Sequence, residues 1–397
     1  MAHFSVRIFL IISLVTGGIL PLFGQSIPSK GSDHTLEVAT WNLKFFGDPN
    51  AEPDNDERAL DNVEAIIRAS HIDVWALQEI REPSYFYRLL DSLGSDYDGQ
   101  LGPDTYLRLG FIYRTEVLQQ VQPIQQILQT QSSDFGGRPP LRLDARVVLP
   151  DTSFDVTLIN VHMKARSDAA SYEKRKRAAQ ALKTYIDVFL ASRAVILLGD
   201  FNDELEQSIY AGNPSPYQAF VADSLPSPDP QYYFFPSLYL ERAGAWSLCG
   251  WQSLIDHIGV SDELVPLYEK NSAGVFRELF TAIPGYCSLV SDHIPVYARF
   301  KRASATDAPR VRLASLRWRV YPNPFHDHLM IDIEGVAEPT VRLELFDLLG
   351  RNVAVRTVRI AASGRIRWEV GRTLAPGVYF LRISMGTHSI ITKVVRQ

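Results

Sequence analysis

The sequence predicts a layered α/β region followed by a small all-β sandwich. Three observations carry that reading. Between residues 37 and 300, short apolar segments alternate with segments of helical period. Some of the apolar segments, 195–198 above all, are apolar on both faces, as strands of a covered sheet are. Beyond Arg302 the helical period stops, and short segments of period two run to the end of the chain.

The elements follow in order. Residues 37–41 read as a buried strand. Residues 56–70 read as a helix, because Leu60, Val63, Ile66 and Ile67 share one face. A strand at 73–77, a helix at 83–93 and strands at 109–113 and 156–161 come next. A long helix with a basic face covers 168–190, then a fully apolar strand 194–198. Strands at 254–260 and 294–300 close the region. Ala303-Ser-Ala-Thr-Asp-Ala-Pro309 is a small-residue linker. After it come strands at 341–346, 353–360, 366–370, 378–383 and 390–395, with turns at Leu349-Gly350-Arg351 and Ala375-Pro376-Gly377. The expected division is 1–24, a signal peptide; 25–301, the large α/β domain; 302–318, a linker; and 319–397, the β domain.

Composition narrows the class. The 397 residues allow two to three domains. With 46% hydrophobic and 21% charged residues, the chain is neither disordered nor a disulfide-dense scaffold. The net charge of −5 excludes a strongly basic coat protein, but it is an average over unlike parts. Residues 25–301 hold 24 basic and 37 acidic side chains, a net of −13, and 302–397 hold 15 and 8, a net of +7. The first 24 residues carry one Arg, an apolar run and a small residue at the end, which reads as a secretory signal. No later segment has the ~20 apolar residues a membrane span needs, so the expectation is export and no transmembrane segment after cleavage. Cys249 and Cys287 would then meet in an oxidising compartment, which favours a disulfide over two free thiols.

Six segments place polar residues at strand ends. They are Thr40-Trp-Asn42-Leu, Leu77-Gln-Glu79-Ile-Arg81, Asn160-Val-His162, Gly199-Asp200-Phe-Asn202, Ile255-Asp256-His257-Ile and Ser291-Asp292-His293-Ile-Pro295. Glu79, Asp200, Asp256 and Asp292 offer carboxylates, and Asn42 and Asn202 offer amide oxygens. Such hard donors suit Mg²⁺, Mn²⁺ or Ca²⁺ rather than zinc. His162 and His293 can move protons near neutral pH. Together these are the means of hydrolysing a phosphate ester. Each segment alone is a common turn or cap; their co-occurrence behind apolar strands lifts the reading.

These six segments, in this order, resemble the endonuclease/exonuclease/phosphatase superfamily over residues 34–301, with Gly-Asp-Phe-Asn and Ser-Asp-His-x-Pro-Val the most specific parts. The resemblance implies a four-layer α/β sandwich. It implies that Glu79 is the principal metal ligand, with Asn42 and Asp292 beside the metal. Asp200 and Asn202 resemble the pair that orients the attacking water and the phosphate. His293 resembles the histidine that contacts the phosphate. His162 resembles a second catalytic histidine, with Asp256 as its carboxylate partner. The general base is left open between Asp200 and a histidine. Arg81 and Arg138 resemble phosphate-gripping arginines of deoxyribonuclease I-like members. One departure stands out: those members have a Glu supporting the second histidine where this chain has Leu107, so the support for His293 must come from elsewhere.

The implied activity is a secreted, metal-dependent phosphodiesterase of deoxyribonuclease I type acting on extracellular DNA or RNA. The alternatives are a sphingomyelinase-like or other small phosphoester hydrolase, or an inactive surface adhesin on the same fold. The run Lys174-Arg175-Lys176-Arg177 is expected to be a solvated helix face, and Tyr232-Tyr-Phe-Phe235 a loop packed on a sheet edge. Val320-Tyr-Pro-Asn-Pro, Leu349-Gly-Arg351 and Gly377-Val-Tyr-Phe380 resemble the C-terminal sorting domain of type IX secretion substrates. That implies a seven-stranded β-sandwich, the type IX machinery as partner, and a secreted or surface-attached product. The chain is expected to be a monomer.

Overall fold

The computed structural model describes residues 26–51, 56–103, 105–150, 152–190, 193–221, 233–301, 317–334, 340–347, 351–360, 363–385 and 388–397. The expected signal peptide, linker residues 302–316, Tyr232 and the turn residues Leu349 and Gly350 lie outside them. The chain opens with β1 (Thr35–Phe46), α1 (Asp56–Ser70), β2 (Val74–Ile80), α2 (Pro83–Leu93), β3 (Tyr97–Leu101) and β4 (Arg108–Arg114). Short strands β5 (Leu118–Gln120) and β6 (Gln125–Gln126) lead to β7 (Leu141–Leu149), β8 (Thr152–His162), α3 (Ala169–Phe189) and β9 (Val195–Asp200). Then come α4 (Pro236–Arg242), β10 (Asp256–Val260), β11 (Gly274–Val275), α5 (Leu279–Ala282), α6 (Tyr286–Leu289) and β12 (Val296–Lys301).

Two mixed sheets result, ordered β11-β12-β1-β2-β4-β3 and β10-β9-β8-β7-β5, with β6 also on β7. The parallel pairs are β1–β2 and β8–β9, and each is bridged by a helix, α1 or α3, because parallel strands need a long crossover. One core joins the facing sides of the two sheets: Leu36, Val38, Val74 and Ala76 meet Leu143, Leu158, Ile196 and Ile258. The other face of the first sheet, with Trp41, Trp75 and Leu77, packs on α1 and α2. The other face of the second, with Ile159, Val161 and Leu197, packs on α3 and α4. The layers are therefore helix, sheet, sheet, helix. Each large apolar side chain buried in them contributes about 1.5–3 kcal/mol.

The two-residue period of a strand sets where chemistry can occur. On β1 the inter-sheet face reads Leu36, Val38, Thr40, Asn42; on β2 it reads Val74, Ala76, Gln78. On β8 it reads Val156, Leu158, Asn160, His162, and on β9 Ile196, Leu198, Asp200. Every strand turns from apolar to polar toward the same end of the crevice. The inner polar ring is satisfied: Gln78 Nε2 donates to Asn160 Oδ1 at 2.8 Å and to Thr40 Oγ1 at 3.1 Å, and Asn160 Nδ2 donates to the carbonyls of Leu77 and Gly110. That ring closes the hydrophobic core below and supports the reactive groups above.

The C-terminal part holds β13 (Arg317–Tyr321), β14 (Leu329–Glu334), β15 (Thr340–Phe346), β16 (Asn352–Arg359), β17 (Ser363–Trp368), β18 (Gly377–Met385) and β19 (His388–Arg396). They form antiparallel sheets β13-β14-β17 and β16-β15-β18-β19 around Leu329, Ile331, Leu343, Leu345 and Leu381. This sandwich touches the far end of α3. Phe380 meets Phe189 with ring centroids 5.0 Å apart, and Arg382 Nη1 donates to the Asp187 carbonyl at 3.2 Å. Among the described residues no helix is long and apolar enough to cross a membrane.

Candidate active site

At the polar end of the crevice, β1, β2, β8, β9 and β10 and the loop before β12 bring most of the sequence-expected residues together. Asp200 sits at the centre. Its Oδ2 accepts from Asn42 Nδ2 at 3.0 Å and from Asn202 Nδ2 at 3.0 Å. It lies 3.5 Å from His162 Nε2 and 3.9 Å from His293 Nε2. Its Oδ1 accepts from the Asn202 backbone at 2.8 Å, and Asn202 reaches this position in a left-handed conformation, φ 52°.

Glu79 reaches the site only through a break in strand parity. On β2 its odd position would face the helices, with Trp75 and Leu77. Its φ of 60° and a register shift between Leu77 and Ile80 turn it toward the crevice instead. There Oε1 accepts from Asn42 Nδ2 at 3.1 Å and lies 3.5 Å from His162 Nε2, while Oε2 accepts from the Phe45 backbone at 3.1 Å. Lys44 and Phe45 supply that contact from two successive left-handed residues.

The structure corrects two sequence expectations of pairing. Asp256 supports His293, not His162: its Oδ2 lies 2.8 Å from His293 Nδ1. Antiparallel pairing of β10 with β9 sets Asp256 opposite Asp200, on the His293 side of the row. His162 Nδ1 is buried with no hydrogen-bond partner among the described residues. Asn42 does not turn its amide oxygen toward the carboxylates. That oxygen accepts from the Lys44 backbone at 2.9 Å, so the amide N–H groups face Glu79 and Asp200.

The arginines divide. Arg138 Nη2 donates to the Met163 carbonyl at 2.9 Å and Nε to the His162 carbonyl at 3.4 Å, with no carboxylate salt bridge among the described residues. Burial lowers its pKa, while Glu79 and Asp200 pull it back up. Arg81 pairs with Glu82 at 3.1 Å and lies 3.6 Å from Asp48. Asp292 lies beside Lys44, 3.4 Å from its Nζ. The basic run on α3 is not a uniform solvated face. Arg175 is fully buried, bonded to Asp203 Oδ2 at 2.8 Å and to the carbonyls of Lys164 and Arg166. Tyr233, Phe234 and Phe235 are buried as expected of a packed segment.

Electrostatics separates the two histidines. Burial opposes charge on His293, but Asp256, Asp200 and Asp292 outweigh it and hold its imidazole up at about 10. His162 is the reverse: burial, with the nearby Arg138 and His293 charges, holds it well below its ordinary value. Burial pushes the Asp200 carboxyl up to about 7, against the His293 charge and with that of Asp256. Residues the motifs did not flag support this arrangement. Ser247 Oγ donates to Asp256 Oδ2 at 2.7 Å and accepts from the Ile255 and Asp256 backbones. Ser291 Oγ donates to the Asn42 carbonyl at 2.6 Å, while Trp41 and Tyr286 donate to the His293 carbonyl. Only the short Ser-x-His spacing of Ser291 and His293 signalled any of this in sequence.

The donor chemistry fits a divalent cation. Asp200, Asp256 and His293 place ligand atoms within 4.8 Å of one another, a grouping that could hold one. Asp256 Oδ1 is buried without a hydrogen-bond partner among the described residues. Crowded buried carboxylates are costly to ionise without a positive charge nearby.

Residues 39–325 match the model of the Endonuclease/Exonuclease/phosphatase family. The chain belongs to that family. Endonuclease/Exonuclease/phosphatase enzymes are hydrolases acting on phosphoester bonds and are typically dependent on a divalent metal. Residues 319–397 match the secretion system C-terminal sorting domain, which indicates type IX secretion to the exterior or the cell surface. Among curated proteins none matches. Solved structures of the same Endonuclease/Exonuclease/phosphatase kind are similar at low identity. An Endonuclease/Exonuclease/phosphatase protein of Beutenbergia cavernae is 16% identical, covers 91% of this chain and 100% of its own, with a TM-score of 0.48. Humanized D. rerio TDP2 is 16% identical over 68% and 100%, with a TM-score of 0.47. The human nocturnin catalytic domain, with bound sulfate, is 16% identical over 67% and 94%, with a TM-score of 0.47.

Proposed function

We propose that the protein is a secreted, Mg²⁺-dependent phosphodiesterase that cleaves extracellular nucleic acid. The observation that carries the reading is the Asp256–His293–Asp200 line. A carboxylate holds a charged imidazole whose free Nε2 lies 3.9 Å from a second carboxylate poised near neutral pKa. In this reading His293 Nε2 donates a hydrogen bond to a phosphate oxygen. Asp200, oriented by Asn202, accepts a proton from the attacking water. His162, kept neutral by burial, donates a hydrogen bond from Nε2 to a phosphate oxygen. Arg138, charged and without a carboxylate partner, steadies the flanking phosphate. Glu79 and Asp292 would hold the divalent cation, with Asn42 beside Glu79. When bound, it would neutralise charge on the phosphate oxygens.

Residues 1–24 act in this proposal as a signal peptide, 25–301 as the catalytic domain and 319–397 as the sorting domain, and the product is a monomer. The test is one panel of plasmid DNA, RNA, sphingomyelin and a phosphomonoester, with Mg²⁺ and with chelator. Wild-type protein is expected to cut nucleic acid with Mg²⁺ only, and Glu79→Ala to lose at least about 100-fold. Nucleic acid left intact by the wild type, or cut equally by Glu79→Ala, sinks the proposal.

A further inference from the structure

Two aromatic side chains stand out on the surface beside the site. Trp251 and Tyr106, 69% and 66% exposed, are the most exposed of the large hydrophobic side chains among the described residues. One is tied to the Glu79 segment of the polar row and the other to the His293 segment. Tyr106 lies on the Glu79 side. It stacks on Arg81, whose guanidinium sits 4.8 Å from its ring centre, two residues from Glu79. Nearby, Arg108 pairs in register with Ile80 and donates to the Arg81 carbonyl. A cation thus backs one face of the exposed Tyr106 ring.

Trp251 lies on the His293 side and makes no ring contact among the described residues. Its loop is built onto the catalytic dyad. Leu248 is the β-bridge partner of His293, and the Cys249 backbone donates to the Asp292 carbonyl at 2.7 Å. The Trp251 backbone donates to the Leu248 carbonyl at 3.2 Å, closing a four-residue turn with Gly250 at φ 78° in its third place. The Cys249–Cys287 disulfide ties the turn to α6. Bridge and turn spacings keep the Trp251 backbone within about 12 Å of that of His293. A disulfide and several hydrogen bonds thus fix the loop that carries the exposed Trp251 onto the His293 segment.

We propose that Trp251 and Tyr106 are stacking platforms for nucleobases on either side of the scissile phosphate, and that the substrate is therefore single-stranded nucleic acid. This rests on the phosphodiesterase reading above. A base in a duplex is stacked on both faces and offers none to a protein ring, whereas a single strand offers every base. The acidic body, net −13 over residues 25–301, gives little general attraction for a polyanion, so stacking must supply affinity that charge does not. A membrane surface is the poorer fit. Gly250, Gln252 and Ser253 flank Trp251, and interfacial anchoring needs a broad apolar face rather than one ring.

The experiment compares wild type, Trp251→Ala, Trp251→Phe and Tyr106→Ala on a single-stranded oligonucleotide, its duplex, sphingomyelin vesicles and bis(p-nitrophenyl) phosphate, a small diester that carries no nucleobase. Wild type is expected to prefer the single strand. Each alanine variant is expected to raise KM for it by about 5- to 100-fold, at least fivefold more than for the small diester, and Trp251→Phe to recover most of the loss. An unchanged oligonucleotide KM overturns the platforms, as does an equal loss on both substrates. Loss confined to sphingomyelin vesicles also overturns them, in favour of a lipid. A wild type that hydrolyses the small diester but no nucleic acid defeats the underlying function; one that cuts nucleic acid with both variants unaffected defeats only the platforms.

Discussion

His293 and His162 are the same residue type in the same crevice, yet their environments drive them to opposite charge states. At His293 burial is outweighed by Asp256, Asp200 and Asp292, whereas at His162 burial and the Arg138 and His293 charges prevail. Asp256, itself held by Ser247, sits on Nδ1 of His293, and nothing among the described residues sits on Nδ1 of His162. Asp256→Asn is therefore expected to lower the His293 pKa measured by NMR titration and to reduce kcat/KM about 100-fold; an unmoved pKa would refute the pairing. His257, next in sequence to Asp256, faces the helices instead. Its ring lies 3.1 Å from Ser237 Oγ and from the Asp203 carbonyl, and burial pushes it down to about 3. The unfolded chain takes up a proton there below about pH 6.5 and the folded chain does not, so this contribution is present above 6.5 and is lost as pH falls toward 3. In urea unfolding at pH 7 and pH 5, His257→Gln is expected to remove about 2 kcal/mol of the wild type's pH-dependent loss.

At the scale of elements, strand alternation explains both what could be read in advance and what could not. The motifs ending β1, β8 and β9 announce themselves because apolar strands lead into them and their parity is unbroken. Glu79 was legible as a motif residue, but not as one that points the right way, because its left-handed backbone reverses parity. The sequence reading placed no strand over Leu141–Leu149, where Arg142, Asp144 and Arg146 alternate with apolar residues; β8 alongside and the core beneath make it β7. The disulfide was anticipated from the oxidising compartment, and its bond from the Trp251 loop to α6 encloses a 38-residue separation. Loop-closure entropy gives it about 3–4 kcal/mol. Cys249→Ser with Cys287→Ser is expected to lose that much in denaturant unfolding, and no change would mean that the loop is held by its hydrogen bonds alone.

Across the whole molecule, the chain joins an acidic body to a basic β-sandwich that contacts it at the C-terminal end of α3. The candidate site adjoins the other end of that 21-residue helix, about 30 Å away. The total charge of −5 thus describes neither part. With few phosphate-neutralising side chains at the site, binding of single-stranded oligonucleotide should weaken less than about tenfold between 50 and 200 mM salt, measured by fluorescence anisotropy on Asp200→Asn. A loss of several hundredfold would reveal a phosphate-binding surface beyond Arg138.

The sequence by itself determined the layered α/β class, the β-sandwich tail, the six polar strand ends and the carboxylate and histidine chemistry they share. These are local properties: period, apolar runs and residue type. Only the tertiary structure decided which carboxylate serves which histidine, that Glu79 turns inward, that Arg175 is buried on Asp203 while Arg138 has no carboxylate salt bridge among the described residues, and that Trp251 is exposed on a loop bridged to His293. Those depend on strand register, on backbone conformations at single residues and on burial, which arise only when segments distant in the chain are brought together.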